Sequence, residues 1–470
     1  MTDDPTPILG NKVTFSSDIS AFGPQVTALA DGSFILAWQN QTDIFARHLD
    51  EHGGFIGGDF LSTLSADDAH PLSSPRVFQQ SNGRVVVIYN QLVSPSEMPI
   101  RWHMVNTDFS PDGNTKPIQL SNTQAALVSS TSTAGGGAFV FETPGSGVDT
   151  LTVLCFIDLQ GQESVNLQVD ASFGFTQQNA AVAGLNNGNV AVAYCIVSNA
   201  VGSFVISATI YQPDGFRVAG FLRLSADDVS ADFPDIAVLR NGSFVVAWQQ
   251  ADGIAFRHLS QEGVTDFTHP AIVVPGSAGG FKPKVTALND NAAGFIIAWT
   301  AASGVESDGS PNEDIFLQRY GFENNVLQTF GAQVHLTEPG DQGLFNLSIA
   351  TLRGGISLLD EHVVLAYGSE TGDATNITTL NYRFVSVPPI VVLVDPHPCQ
   401  TEADKVTAAQ QKVNNLENKI TTLQEELEHG RRSKNQIIKD IANAEKQLLA
   451  ATEALEEDQK ALDVCLSTQR

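Results

Sequence analysis

Methionine and cysteine are scarce in this chain, three and four among 470 residues, against 39 glycines and 27 phenylalanines. That balance argues against packed helices as the main architecture and for many short strands joined by tight turns. No run of 18 apolar residues occurs, so no membrane-spanning segment is expected. The amino end, Met1-Thr2-Asp3-Asp4-Pro5, lacks the basic and apolar regions of a signal peptide. Export would then use another route: type I secretion, release by lysis inside a particle, or a leader outside this sequence. Basic residues are few as well. Lys and Arg number 25 against 52 Asp and Glu, leaving a net charge of −27 and a pI near 4.5. With no local basic patch to offset that field, nucleic acid is not an expected partner. Linear catalytic signatures are also missing: no Gly-x-Ser-x-Gly, no His-Glu-x-x-His, no Cys-x-x-Cys and no phosphate-binding glycine loop. From these absences the chain is expected not to be an enzyme and to have no catalytic or cofactor-binding residues.

What the chain has is a repeat. Pro24-Gln25-Val26-Thr27-Ala28-Leu29-Ala30-Asp31-Gly32-Ser33-Phe34-Ile35-Leu36-Ala37-Trp38 recurs from Pro234-Asp235-Ile236 to Trp248 and from Pro283-Lys284-Val285 to Trp299. Weaker copies run from Pro75-Arg76-Val77 to Tyr89 and from Ala180-Ala181-Val182 to Tyr194, and degenerate ones end at Phe141 and Tyr367. The closing aromatics are therefore 51, 52, 53, 54, 51 and 68 residues apart, which makes seven units, the last with an insertion. Within a unit, Pro-x-Val-x-x-Leu reads as a strand, Asp-Gly or Asn-Gly as a hairpin turn, and Phe-Val-Val-Ala-Trp as a strand buried on both faces. A third, alternating strand such as Ile254-Ala255-Phe256-Arg257-His258-Leu259 follows, and a fourth such as Phe60–Asp68 or Phe221–Asp228 ends the unit. Seven four-stranded units predict a seven-bladed β-propeller over residues 1–390, with an open solenoid as the competing arrangement. The segment 12–18 resembles a fourth strand while the seventh unit is short of one, so it is expected to pair into the last blade and close the ring.

The pattern Pro-x-Val-x-x-Leu-x-Asp-Gly-Ser-Phe-Val-Val-Ala-Trp-Gln resembles propeller-type repeats of large bacterial secreted and adhesin-like proteins. The resemblance covers about residues 12–390 and implies an extracellular or surface setting. Some members of that family also carry calcium-binding glycine-rich repeats, which are absent here, and no catalytic residues come with the resemblance.

Past a proline-rich linker at 391–398 the composition changes. Residues 1–400 hold 39 acidic and 15 basic side chains, the last 70 hold 13 and 10, and the tail is rich in strong helix formers. Heptad positions Ala409, Val413, Leu416, Ile420, Leu423 and Leu427 are mirrored by Leu455, Ala451, Leu448, Ala444, Ile441 and Ile437 about residue 432, while Asp458 opposite Val406 breaks the seam. Gly430 suits a helix end, and Ser433 with Gln436 fits a capping box. The expectation is an antiparallel coiled-coil hairpin over 399–470, with helices at about 400–429 and 434–467. A continuous helix in a parallel trimer is the alternative. The same mirror sets Cys399 against Cys465, which suggests a structural disulfide, or else two free thiols on the seam.

The remaining candidates are weaker. His48 and His258 recur at one repeat position and read as scaffold. Cys155 and Cys195 lie in predicted strands, as free thiols or an interblade bond. The acidic runs 65–68, 225–228 and 308–314 carry oxygen ligands suited to calcium but no loop spacing of an established type, so solvated turns are the plainer reading. Gln25, Arg76, Asp235 and Lys284, each following a repeat's first proline, differ between units and mark a surface where specificity varies. On sequence alone, then, the chain is expected to be an extracellular or particle-borne binding or adhesion module with a protein or glycan ligand, its propeller carried on the hairpin. Two alternatives follow: a structural subunit of an appendage, surface layer or virion that assembles into homo-oligomers through the hairpin, and, last, a polysaccharide hydrolase or lyase.

Overall fold

Each repeat folds as one antiparallel sheet for a local reason. At Leu29-Ala30-Asp31-Gly32-Ser33 the Gly32 N–H donates to the Leu29 carbonyl, Asp31 Oδ1 accepts from the Ser33 N–H, and Gly32 takes φ of 91°. The same arrangement recurs with Asn82-Gly83, Asn187-Gly188 and Asn241-Gly242, so an Asx side chain and a left-handed glycine turn the first strand back on the second. The computed structural model describes residues 6–467 except 17–20, 41–42, 58–70, 95–96, 107–108, 110, 118–124, 146–149, 170–174, 199–203, 227–228, 264–270, 291–292, 306–310, 324–325, 338–340, 353–360, 372–377, 389–399 and 430–432.

Seven sheets result, in sequence order around the ring: blade 1 over 21–49, blade 2 over 72–117, blade 3 over 126–168, blade 4 over 175–223, blade 5 over 231–273, blade 6 over 280–336 and blade 7 over 341–387. Blades 2 to 6 have four strands each; blade 1 shows three, and its expected fourth strand falls in 58–70, outside the described residues. In blade 7 the outer position is taken by the amino end. Ile8–Leu9 and Val13–Ser16 both run antiparallel to Thr378–Val387, with Val13 opposite Tyr382 and Leu9 opposite Val385. First strands of neighbouring blades lie beside one another around the axis, and the fold is a seven-bladed β-propeller.

Its core is divided among the seams between blades. Among the described residues there are seven apolar clusters, one for each pair of neighbouring blades, including the pair that joins blade 7 to blade 1 through Phe15, Trp38, Val364 and Tyr382. The closing aromatics Trp38, Tyr89, Phe141, Tyr194, Trp248, Trp299 and Tyr367 are all buried. Second strands are buried on both faces because each sheet has a neighbour on either side, which is why Phe34–Trp38 and Phe244–Trp248 read as unbroken apolar runs.

The chain divides at 390/391 into two compact units. The second is a helical hairpin of α1 (Gln400–His429) and α2 (Lys434–Ser467) packed on one another. Among the described residues Val413, Leu423, Ile437, Ala444 and Ala451 are its buried apolar positions. They all belong to the mirrored heptads. Gln436 Nε2 donates to Asp440 one turn on (3.1 Å), so its amide braces the first turn of α2. Cys399 and the side chain of Cys465 lie outside the described residues. No helix is long and apolar enough to cross a membrane among the described residues.

Candidate functional site: the axial channel

Every first strand carries a β-bulge where it passes the closing aromatic of its own blade. In six blades two residues oppose that one aromatic: Gly23-Pro24, Ser74-Pro75, Asn179-Ala180, Phe233-Pro234, Lys282-Pro283 and Asn346-Leu347. The first of each pair has φ between 47° and 64°. The bulge resets the alternation of the strand, so the next residue of each blade faces the axis. Those residues are Gln25, Arg76, Ser129, Ala181, Asp235, Lys284 and Ser348, each paired with the residue preceding its blade's aromatic.

Four of the seven positions brace the ring through side-chain hydrogen bonds to the next blade. Ser348 Oγ of blade 7 accepts from the Val26 N–H of blade 1 (3.1 Å), Ser129 Oγ from Val182 of blade 4 (3.3 Å), and Asp235 Oδ2 from Val285 of blade 6 (2.7 Å). Arg76 works in the opposite sense, its Nε donating to the Val128 carbonyl of blade 3 (2.7 Å). A second tier of braces lies one strand out, at the residue after the closing aromatic in four blades. Gln39 Oε1 accepts from Ser74 N–H (3.4 Å), Asn90 Oδ1 from Leu127 (2.9 Å) and Gln249 Oε1 from Lys282 (3.3 Å). In blade 3 the same place holds Glu142, toward which the Asn179 and Ala180 N–H groups point.

Inside these tiers is a cavity of about 660 Å³ lined by the first strands of all seven blades. Its wall is mostly polar, with Gln25, Thr27, Ser129, Ser130, Thr131, Asn179 and Ser348 among the lining residues. Three cations, Arg76, Lys282 and Lys284, line it together with one carboxylate, Asp235. The channel is thus cationic in a chain of net charge −27. Lys284 Nζ lies 3.6 Å from Asp235 Oδ1. Burial in the channel wall pushes the Asp235 carboxyl up, against the opposing pull of Lys284 and the Val285 N–H. Burial also pulls the Arg76 guanidinium down to about 10, partly offset by Asp235 across the axis, and leaves it charged at neutral pH.

Gln25, Arg76, Asp235 and Lys284, which the sequence set apart as positions that vary between repeats, therefore converge on one cavity. Phe233 and Lys282, which also line it, did not stand out; their signal is that they occupy the left-handed bulge position just before the repeat proline. His48 is a scaffold residue: Nε2 hydrogen-bonds Ser33 Oγ (2.8 Å), the ring stacks on Phe109 (3.9 Å between centroids), and burial lowers its pKa. His258 packs on Phe322. Cys155 and Cys195 are buried free thiols, their pKa values raised by burial, and no bond joins these blades. Of the acidic runs only parts are described. Asp314 is buried against His335 Nε2 (2.8 Å), and no cluster of metal-ligating side chains exists among the described residues.

No protein-family model and no curated protein sequence matches the chain. Solved structures do resemble it in fold. A protein of unknown function from Dyadobacter fermentans is 11% identical at a TM-score of 0.49, over 82% of this chain and 100% of that one. The GH93 α-L-arabinofuranosidase of Fusarium graminearum is 12% identical at 0.44, over 80% and 98%. NanB sialidase of Streptococcus pneumoniae is 7% identical at 0.43, over 82% and 71%. Such identities carry no activity from one chain to another. They nevertheless correct the expectation of a non-catalytic binding or structural protein: structures of this fold bear the names of glycosidases, so lack of catalysis does not follow. The physical reason is that the channel draws on residues from Gly23 to Ile349. A functional set there is scattered at intervals of about one repeat, and a search for linear motifs passes over it.

Proposed function

We propose that the protein acts on an acidic polysaccharide at the axial channel. The observation that carries this reading is the charge of the wall, three cations and one carboxyl set among hydroxyls and amides, in a chain otherwise strongly acidic. Hydroxyl-rich ligands are held by such amides and hydroxyls, and Arg76 and Lys284 supply partners for carboxylate or sulfate groups. Asp235 is the carboxyl of the lining, and burial moves its pKa upward against the pull of Lys284, the direction that general-acid work on a glycosidic oxygen calls for. A polysaccharide substrate fits an extracellular or particle-borne setting, and the resemblance to repeats of secreted proteins supports the same location.

Incubation with polygalacturonate, alginate and chondroitin sulfate, with arabinan and dextran as neutral controls, tests the reading. New reducing ends indicate hydrolysis, and absorbance of an unsaturated uronide indicates elimination. Cleavage confined to acidic polymers is expected. Asp235→Asn, which keeps an acceptor for the Val285 N–H, should lower the rate at least about 100-fold with Tm almost unchanged. Binding of no acidic polymer, or equal cleavage by the Asn variant, would sink the proposal.

A further inference from the structure

The left-handed bulge position is occupied by Gly23, Ser74, Asn179 and Asn346 in four blades and by Phe233 and Lys282 in blades 5 and 6. Glycine and asparagine adopt this conformation readily, and a short polar side chain adapts to it. For Phe233 at φ 51° and Lys282 at 47° it is a strained state. The fold asks only for the bend here. Lys282 N–H is held by Gln249 just as Ser74 N–H is held by Gln39, so nothing in the bracing calls for a phenyl ring or an ammonium. Yet the two strained residues sit side by side on the ring, both line the cavity, and Lys282 Nζ lies over the Phe233 ring, 5.5 Å from its centroid. Phe233 is half-buried and Lys282 exposed.

We propose that Phe233 and Lys282 form a sugar subsite at this rim of the channel: the apolar face of a pyranose ring lies against the phenyl group, and an acid group on that ring pairs with the ammonium. The inference rests on the reading of the channel as an acidic-polysaccharide site and adds where and how one residue of the chain is gripped. An aromatic face contributes contact with C–H groups at small entropic cost, and a cation within reach of the same ring selects a uronate over a neutral sugar.

The test uses the residue that two other blades carry at this place. Phe233→Asn and Lys282→Asn are prepared in the full chain, and binding of oligogalacturonate and of a neutral arabinan oligomer is measured by calorimetry alongside Tm. Both variants should keep or raise Tm, by about 1–3 °C as the strain is relieved. Phe233→Asn should weaken oligogalacturonate binding at least about 10-fold. Lys282→Asn should do the same and bring its affinity to that of the neutral oligomer. If the wild-type chain binds oligogalacturonate and both variants bind within twofold of it, the subsite is wrong while the channel reading stands. A clear fall in Tm accompanying lost binding would assign the pair to the fold and overturn the subsite. Failure of the wild-type chain to bind any acidic oligomer overturns the channel reading itself.

Discussion

Glu142 puts a carboxylate where Gln39, Asn90 and Gln249 brace other blades. Burial raises its pKa, Asp232 nearby adds to the rise, the two N–H groups of blade 4 oppose it, and Oε1 has no hydrogen-bond partner among the described residues. Because the folded state favours the protonated form, the group's contribution is full below the ordinary carboxylate pKa and is lost as pH rises through the elevated value. Glu142→Gln should therefore be the more stable form at pH 7.5, by on the order of 1 kcal/mol. The gap should narrow toward pH 5, as followed by urea unfolding at both pH values. Arg319 is the opposite case. Its side chain is only 1% exposed, Nη2 meets Asp290 Oδ2 at 3.0 Å, and Nη1 donates to the Pro388 carbonyl near the end of the last blade. Asp290→Ala removes the carboxylate that meets this buried cation and should cost about 3–5 kcal/mol, read as a shift in denaturation midpoint.

Blades 1, 5 and 6 were legible in the sequence because each has an Asx-Gly turn or an equally clear copy of the apolar strand, while blades 3 and 7 were recognisable mainly by the spacing of Phe141 and Tyr367. Glu142 follows Phe141 as Gln39 follows Trp38 and Gln249 follows Trp248, so its alignment was legible, but that this position reaches the first strand of the next blade emerges only from the structure. The varying positions Gln25, Arg76, Asp235 and Lys284 could be read off directly, since each follows a proline. Their convergence could not, because periodicity gives the order of strands but not which face of each strand a bulge turns inward. The amino-terminal strand gives a further expectation. Phe15 meets Trp38 edge-on at 5.2 Å and Tyr382 at 6.2 Å, inside the seam between blades 7 and 1. Phe15→Ala should lose about 3–5 kcal/mol, measured by chemical denaturation. The loss would be far larger than for alanine at Val13, which is 36% exposed.

Across the whole molecule the net charge of −27 opposes the cationic channel. An acidic oligomer is repelled at a distance and attracted only close to the wall. Raising the ionic strength from about 0.01 M to about 0.15 M shortens the screening length from about 30 Å to about 8 Å. Association of oligogalacturonate should therefore speed up over that range by stopped-flow, where a site in a neutral protein would slow. The placement of Ile8–Leu9 and Val13–Ser16 on Thr378–Val387 bears on biosynthesis too. A chain emerging at about 5–20 residues per second needs about 20–80 s before its partner for those first strands exists. Until then the leading blade keeps one apolar flank bare, so translation that stalls short of residue 378 yields an arc with two sticky ends, the kind of product that a chaperone must shield or a protease remove.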